Sequence, residues 1–419
     1  MAEQDLTDQE PQGKSVARRR VFYIPGYDPF PPRRYRELYR SEAAAQAEIS
    51  GFDIKLSPGQ RGENFGWHVS ATIEGLQTET DFEVLVWSDL VQSSMSNSIP
   101  ATYAQLVRTA WTYVATGALW RLMRLRKGPV IAALYPIGML LFQLALAFAL
   151  AGAAGAMIAW VASGLPKLVS FPLSWAAAGV VAYAVLQGFR TRDGKFFAYY
   201  LMHDYAHSAQ LRGQYPQDLE QRLNVFAERV GQALREENDE VLVVGHSSGA
   251  HLGISVLADL IRAGQVPAKG PSLGFLSLGQ VVPMLSFLPD AYRLRADLQF
   301  LSDRDELTWV DVTAPGDGCS FALCDPVSVS GVAPRNKKWP LVFSAAFTQT
   351  LSPAHWKELR WRFFRLHFQY LCAFDRPRDY DYFRVTAGPK TLGTRYDGRP
   401  ASKSRIDVAV SKYTSVEAA

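Results

Sequence analysis

Formal charge is nearly absent from one long stretch of the sequence: between Gly128 and Phe189 only Lys167 carries any. Helices in soluble cores seldom run that far without a charged residue, which argues against an ordinary globular segment. The stretch divides at Pro166 and Lys167 into residues 129–165 and 168–189. Each piece reaches the roughly 20 apolar residues needed to cross a hydrocarbon core. Two transmembrane helices forming a hairpin are expected, with Trp160 and Trp175 near its tip suiting the interfacial aromatic belt. The competing reading is an oily, buried helical cap. Cysteine is also scarce. Cys319, Cys324 and Cys372 provide neither a disulfide framework nor the spacing of a zinc site, so a reducing compartment fits best. The N-terminal residues 1–20 lack the apolar core of a secretory signal and read as a disordered tail. The net charge of +4 is too modest, and its arginines too scattered, to point to nucleic acid.

The flanks of the uncharged stretch fix its expected orientation. Arg121, Arg124, Arg126 and Lys127 precede the first span, and Arg190, Arg192 and Lys195 follow the second. Both ends are positive, which places both, and the domain they join, on the cytoplasmic side. A sheet assembled from strands on either side of the insertion requires the same even number of crossings.

Downstream, "VLVVGHSSGA" (Val241–Ala250) sends four β-favouring apolar residues straight into a glycine-flanked serine. Such a run suits a central parallel strand covered on both faces. After Gly249, Leu252, Val256, Leu257 and Leu260 form a helical stripe that stops at Gly264. The expected sequence of elements is strand, sharp turn, helix, with Ser247 at the centre of the turn and Gly245 and Gly249 two residues to either side. Glycine at both positions permits a strained turn and close approach of neighbouring elements. The bland alternative is a glycine-rich strand-to-helix turn. His246 precedes the serine and faces the wrong way to be its base.

At "GHSSGA" the chain resembles the α/β-hydrolase family of serine hydrolases, whose nucleophile elbow is G-x-S-x-G. The resemblance implies a mostly parallel sheet flanked by helices, here carrying an inserted two-helix transmembrane hairpin. It implies Ser247 as nucleophile and the Ser248 N–H, at the start of the following helix, as one oxyanion donor. The second donor comes from a loop after an early strand; "IPGYDPF" resembles that loop, with Gly26 allowing close approach and Tyr27 as donor, against the plain alternative of a strand-ending turn. The family order is serine, acid, histidine. Asp317 in "APGDGC" stands where the family puts its acid, with Asp311 and Asp325 as rivals. His367, opening "HFQYLCAF", is preferred as the base over His355, which looks like first-turn helix surface. The chain departs from the family in having few residues before its first strand and a membrane hairpin within the sheet.

Other features stay structural in this reading. His203 and His207 lie four apart in "MHDYAHSAQ", but no glutamate lies between them in the zincin sense, so no metal is expected, and no cofactor either. Helix is expected over Arg33 to Ile49 and in the region 196–237, a hairpin over residues 51–74, and strands at 82–90, 272–279 and from 307. The expected organisation is a tail at 1–20, hydrolase domain at 21–127 and 190–384 interrupted by the hairpin at 128–189, and a flexible tail at 385–419. The function expected is a membrane-anchored serine hydrolase cleaving carboxylic esters of lipids or other apolar acyl compounds, lipase- or esterase-like, with the bilayer as its partner. Alternatives are a catalytically silent scaffold and an acyltransferase using the same triad. A transporter is disfavoured, because Gln143 and Gln187 are almost the only strongly polar side chains in the spans.

Overall fold

The computed structural model describes residues 15–59, 65–95 and 98–418. Among these, eight strands form one sheet: β1 Arg18–Ile24, β2 Asp53–Pro58, β3 Gly66–Ile73, β4 Leu76–Val84, β5 Glu240–His246, β6 Ser272–Leu278, β7 Thr308–Thr313 and β8 Leu341–Ser344. Their order is β2-β3-β4-β1-β5-β6-β7-β8. The β4-β1-β5-β6-β7-β8 portion is parallel throughout, and β2-β3-β4 is an antiparallel meander at one edge.

The central strands alternate between two covered faces. Phe22, Ile24, Val241 and Val243 join one apolar cluster with the helices Gln217–Ala233 and Gly249–Arg262. Val21, Tyr23, Leu242 and Val244 join the other, beneath the helix Arg33–Ser50 and the C-terminal segments. With both faces buried, no polar alternation survives in these strands, and the architecture is a helix–sheet–helix α/β layering. The helix Arg33–Ser50 buries Tyr35, Tyr39, Ala43 and Gln46, one helical stripe, and ends on Gly51 in the left-handed region at φ 68°.

The excursion from β4 to β5 carries the uncharged stretch. β4 and β5 both pair with β1, so the chain leaves the sheet and returns to it one strand away. Two helices long and apolar enough to cross a membrane occupy it, Lys127–Val161 and Lys167–Thr191. The first, of 35 residues, is about 50 Å long at roughly 1.5 Å per residue. Its proximal half is docked on the protein: Pro129, Val130, Leu140, Gln143 and Ala147 are buried, and Leu140 packs with Leu106, Tyr199 and Met202. The second helix buries no residue. That is unlike a cap over a soluble core.

Several expected boundaries are corrected. The first strand begins at Arg18, so residues 18–20 belong to the sheet and not to a tail. Two of the three charges are neutralised inside while Arg18 stays exposed: Arg19 pairs with Glu240 at 2.6 Å and donates to the Gly388 carbonyl, and Arg20 pairs with Glu83. Residues 1–14 of the expected tail lie outside the described residues. The strand expected at 82–90 starts earlier, at Leu76, and ends at Val84; Trp87 is buried beyond it, and Asp89 begins a short helix, paired with Arg222. Residues 385–418, expected as a flexible tail, are laid along the body. Val385, Ala387 and Leu392 are buried, the Ile406 N–H donates to the Leu323 carbonyl at 2.7 Å, and Arg295 donates to the Ser415 carbonyl. Sparse apolar anchors and main-chain hydrogen bonds hold this segment, which its polar composition disguised.

Candidate active site

The site begins with the steric demands of the turn after β5. Ser247 has φ +57°, a left-handed conformation that is costly for a residue with a Cβ and recurs at functional turns. The turn is packed too tightly for side chains at its glycines. A Cβ on Gly245 would stand 2.7 Å from the Gly249 carbonyl oxygen, and one on Gly249 would overlap the Ile24 carbonyl. From Glu240 to Ala258 every residue is buried except Ser247, so the turn lifts one hydroxyl out of an otherwise closed strand and helix. The helix Gly249–Arg262 starts immediately behind it, leaving the Ser248 N–H at the open, positive end.

Gly26, on the loop after β1, lies directly against this serine: a Cβ there would be 3.0 Å from the Ser247 Cβ and 3.4 Å from its Oγ. The adjoining Tyr27 is clamped at its far end, where its hydroxyl meets Ser94 Oγ at 2.6 Å, and its carbonyl accepts from the Tyr200 hydroxyl. Trp87 Nε1 donates to the Pro25 carbonyl at 2.9 Å and fixes the start of the loop. Gly26 and Ser248, two of the expected oxyanion contributors, therefore both adjoin Ser247.

Asp317 and His367 meet although fifty residues separate them: His367 Nδ1 lies 2.8 Å from Asp317 Oδ2, both groups buried. Asp317 also accepts from the Tyr370 hydroxyl at 2.9 Å and from the Cys319 N–H at 2.9 Å. Burial pushes its carboxyl up, but the His367 charge and hydrogen bonds from His367, the Cys319 N–H and Ser320 outweigh burial and hold it below the usual aspartate value. It is an anion oriented on an imidazole. With Nδ1 committed, Nε2 is the working nitrogen, and it is buried with no partner among the described residues. Ser247 and His367 are neighbours through two bridges. The Ser247 N–H donates to the Leu278 carbonyl at 2.9 Å, and the next residue, Gly279, would place a Cβ 3.0 Å from His367 Cε1. His246, beside the serine, places Nε2 3.0 Å from the His367 carbonyl oxygen. No hydrogen bond joins Ser247 Oγ to Nε2 in this structure; such bonds are often loose before substrate binds.

The rivals are placed elsewhere. Asp311 accepts from Ser277 Oγ at 2.6 Å inside the sheet, and burial pushes its carboxyl up to about 8, so it is protonated at neutral pH. Asp325 caps the short helix Pro326–Val329 and pairs with Lys337 at 2.6 Å. His355 has a partner of its own, Asp375 at 3.1 Å, on the partly exposed helix Pro353–Leu359. On the triad expectation, Asp317→Asn should lower turnover by a factor on the order of 10^4 through the wrong histidine tautomer. Asp311→Asn and Asp325→Asn should leave it within a few-fold, and kcat measured on the three purified variants gives the ranking.

Three residues of the site escaped the sequence reading. Tyr370, three residues after the histidine, binds the acid, and its hydroxyl also accepts from the Ala314 N–H at 2.9 Å. His246, set aside as facing the wrong way to be a base, touches His367; burial, and then the His367 charge, push it down to about 3. It is therefore neutral and donates Nε2–H to the His367 carbonyl. Asp204, on the helix Ala198–Ala209, keeps partial exposure, makes no hydrogen bond among the described residues, and is pushed up to about 7 by burial, against the lowering effect of the His367 charge. A carboxyl raised in the folded state takes up protons on folding, so its effect on stability is unfavourable once pH climbs from the unfolded value near 4 through about 7. Asp204→Asn should raise the thermal midpoint at pH 8 and leave it unchanged near pH 4. A scan of wild type and variant at both pH values checks the sign.

His203 Nδ1–H donates to Gln105 Oε1, 2.8 Å away, and the ring is held neutral by burial, well below ordinary histidine. The donor atoms of Asp317, Cys319 and His367 lie within 4.8 Å of one another, a spacing compatible with a cation. Two of those donors are spent on each other, and burial raises the Cys319 thiol well above its ordinary value, leaving it protonated. The arrangement suits proton transfer better than metal ligation. No protein-family model, curated protein or solved structure matches this chain.

Proposed function

We propose that the protein is a membrane-anchored serine hydrolase of α/β-hydrolase type that cleaves carboxylic esters. The observation that carries the reading is the left-handed Ser247, raised at the end of a central strand beside a buried His367–Asp317 pair. In this mechanism Ser247 Oγ attacks the ester carbonyl as His367 Nε2 takes its proton. Asp317 keeps Nδ1 protonated and stabilises the imidazolium. The tetrahedral oxyanion is received by the Ser248 N–H and the N–H of Tyr27, which Gly26 allows to lie close. The C–O bond then breaks, the imidazolium gives its proton to the departing alkoxide, and water, activated by the same histidine, releases the acid and restores the serine.

The two apolar helices support a bilayer location, and basic residues at both of their ends support a cytoplasmic catalytic domain. An enzyme held there meets apolar acyl esters, lipids among them, where these concentrate. Reaction with a fluorophosphonate probe tests the central step, because labelling needs an activated serine. Wild type should label at Ser247 and the Ser247→Ala variant should not; an unlabelled, folded wild type overturns the proposal.

A further inference from the structure

The segment leading into the candidate base has no role in the chemistry above and an unusual composition. Residues 360–365 read Arg-Trp-Arg-Phe-Phe-Arg and end two positions before His367. Trp361 is 71% exposed and Phe363 48%. Arg360, Arg362 and Arg365 are all exposed, as is Lys357. Glu358 faces two of them, Arg362 at 3.0 Å and Arg365 at 3.3 Å, so the patch keeps a positive excess. The Arg360 guanidinium lies 5.5 Å from the Trp361 ring. Single exposed apolar residues are ordinary on protein surfaces and carry nothing alone. What distinguishes these is where they sit.

The segment approaches both ends of the apolar hairpin, one through Gly318 and the other at Phe197. The Phe363 ring lies against Gly318 of the acid loop, 3.3 Å from where a Cβ would stand. Gly318 in turn lies against Gly128, at the start of the first apolar helix, with its carbonyl oxygen 3.2 Å from a Cβ there. On the other side Phe364 packs 5.1 Å from Phe197, just after the second apolar helix. On the hairpin reading, residues 360–365 therefore stand near where the chain enters the first apolar helix and leaves the second, the level that a headgroup layer at the hairpin's flanks would take. Aromatic rings alternating with arginines match that level chemically, since the rings suit the boundary of acyl chains and headgroups and the guanidinium groups suit lipid phosphate and carboxylate.

We propose that Arg360–Arg365 forms an interfacial rim that sets Trp361 and Phe363 into the headgroup layer of an anionic membrane, so that the ester reaches His367 and Ser247 from the bilayer. The rim rests on the reading of residues 127–191 as a membrane hairpin and of Ser247 as the nucleophile. It adds to them a second membrane contact, next to the base, and a preference for negatively charged lipid.

The test uses the full chain reconstituted in vesicles of phosphatidylcholine with or without phosphatidylserine. Trp361 emission, taken as the difference between wild type and Trp361→Phe, should be quenched by lipids brominated near the headgroup. Trp361→Ser with Phe363→Ser should leave hydrolysis of a water-soluble short-chain ester unchanged and lower hydrolysis of a bilayer-borne ester about tenfold or more. Phosphatidylserine should raise bilayer activity, and Arg360→Gln and Arg365→Gln should each remove about fivefold of that gain. Unquenched Trp361 in a protein that resists carbonate extraction overturns the rim while the hairpin reading stands. Equal loss of both activities in the double variant overturns it too, since the rim is then structural. Release of wild type by carbonate overturns it through the hairpin reading. Quenching that persists in a protein whose serine never labels supports the rim and removes only the hydrolase.

Discussion

Replacing Ser247 with alanine should remove ester turnover by roughly four orders of magnitude or more while the protein stays folded. The size follows from the division of labour in the site. His367 Nε2 has no hydrogen-bond partner among the described residues and Asp317 Oδ2 is turned on Nδ1, so in the proposed mechanism both act through the Ser247 hydroxyl. Stability should barely change, because the hydroxyl makes no hydrogen bond among the described residues and alanine keeps the Cβ that already tolerates φ +57°. The variant also separates the two costs of the turn. Ser247→Gly should relieve the left-handed strain and stabilise the fold by about 1 kcal/mol, with the same loss of turnover. Thermal midpoints of the two variants beside their kcat values would show strain and catalysis to be independent. Residual turnover near the wild-type rate in Ser247→Ala would remove Ser247 from the mechanism.

The parts of this site that the sequence made legible are those where local sterics and chemistry coincide. Four apolar residues running into Gly-His-Ser-Ser-Gly can hardly be read otherwise than as a covered strand and a tight turn, and the strand β5 and helix Gly249–Arg262 bear this out. The meeting of His367 with Asp317 followed only from the order of residues in a resembling family; nothing local to either position specifies the other. Tyr370 and Asp204 were invisible for the same reason. A tyrosine in an aromatic run and an aspartate on an amphipathic helix have no local signature of facing a third segment. Charge misled at Arg19 and Arg20, which read as tail because arginine is seldom buried, yet pair internally with Glu240 and Glu83. The strand β8, four residues directly after Pro340, is too short for any periodicity to show. Residues 385–418 were misjudged because main-chain hydrogen bonds, which any sequence can make, do much of the holding.

Shortening the hairpin should have opposite outcomes depending on where it is cut. From composition alone residues 129–189 form one anchor, and replacing all of them with a flexible linker is expected to free an active domain, since closing a longer loop costs little. The fold divides the anchor in two. Proximally, Pro129 and Val130 are buried, Leu140 packs with Leu106, Tyr199 and Met202, and the Tyr103 hydroxyl donates to the Leu140 carbonyl at 2.9 Å. Gly128 lies against the acid loop at Gly318. Distally, Gly155 packs only against the second helix, at Ser174 and Ala178, and exposed Met157, Trp160, Phe171 and Trp175 mark the tip. Removing residues 152–181 and joining Ala151 to Ala182 by a short linker should leave turnover of a water-soluble ester within a few-fold of wild type. Membrane integration should be lost with it, measured as release by carbonate, and hydrolysis of bilayer-borne ester should fall at least tenfold, since the remaining segment 128–151 is held against the domain through Val130, Leu140, Gln143 and Ala147 and keeps no second helix to return the chain across a bilayer. Removing 129–189 entirely should abolish both activities, because it empties a core of several large side chains, each worth about 2–5 kcal/mol, and releases the loop that carries Asp317. A full deletion that keeps soluble-ester turnover would show the proximal helix to be dispensable to the acid loop. A distal deletion that stays carbonate-resistant would move the membrane contact from the hairpin tip to the surface of the domain itself.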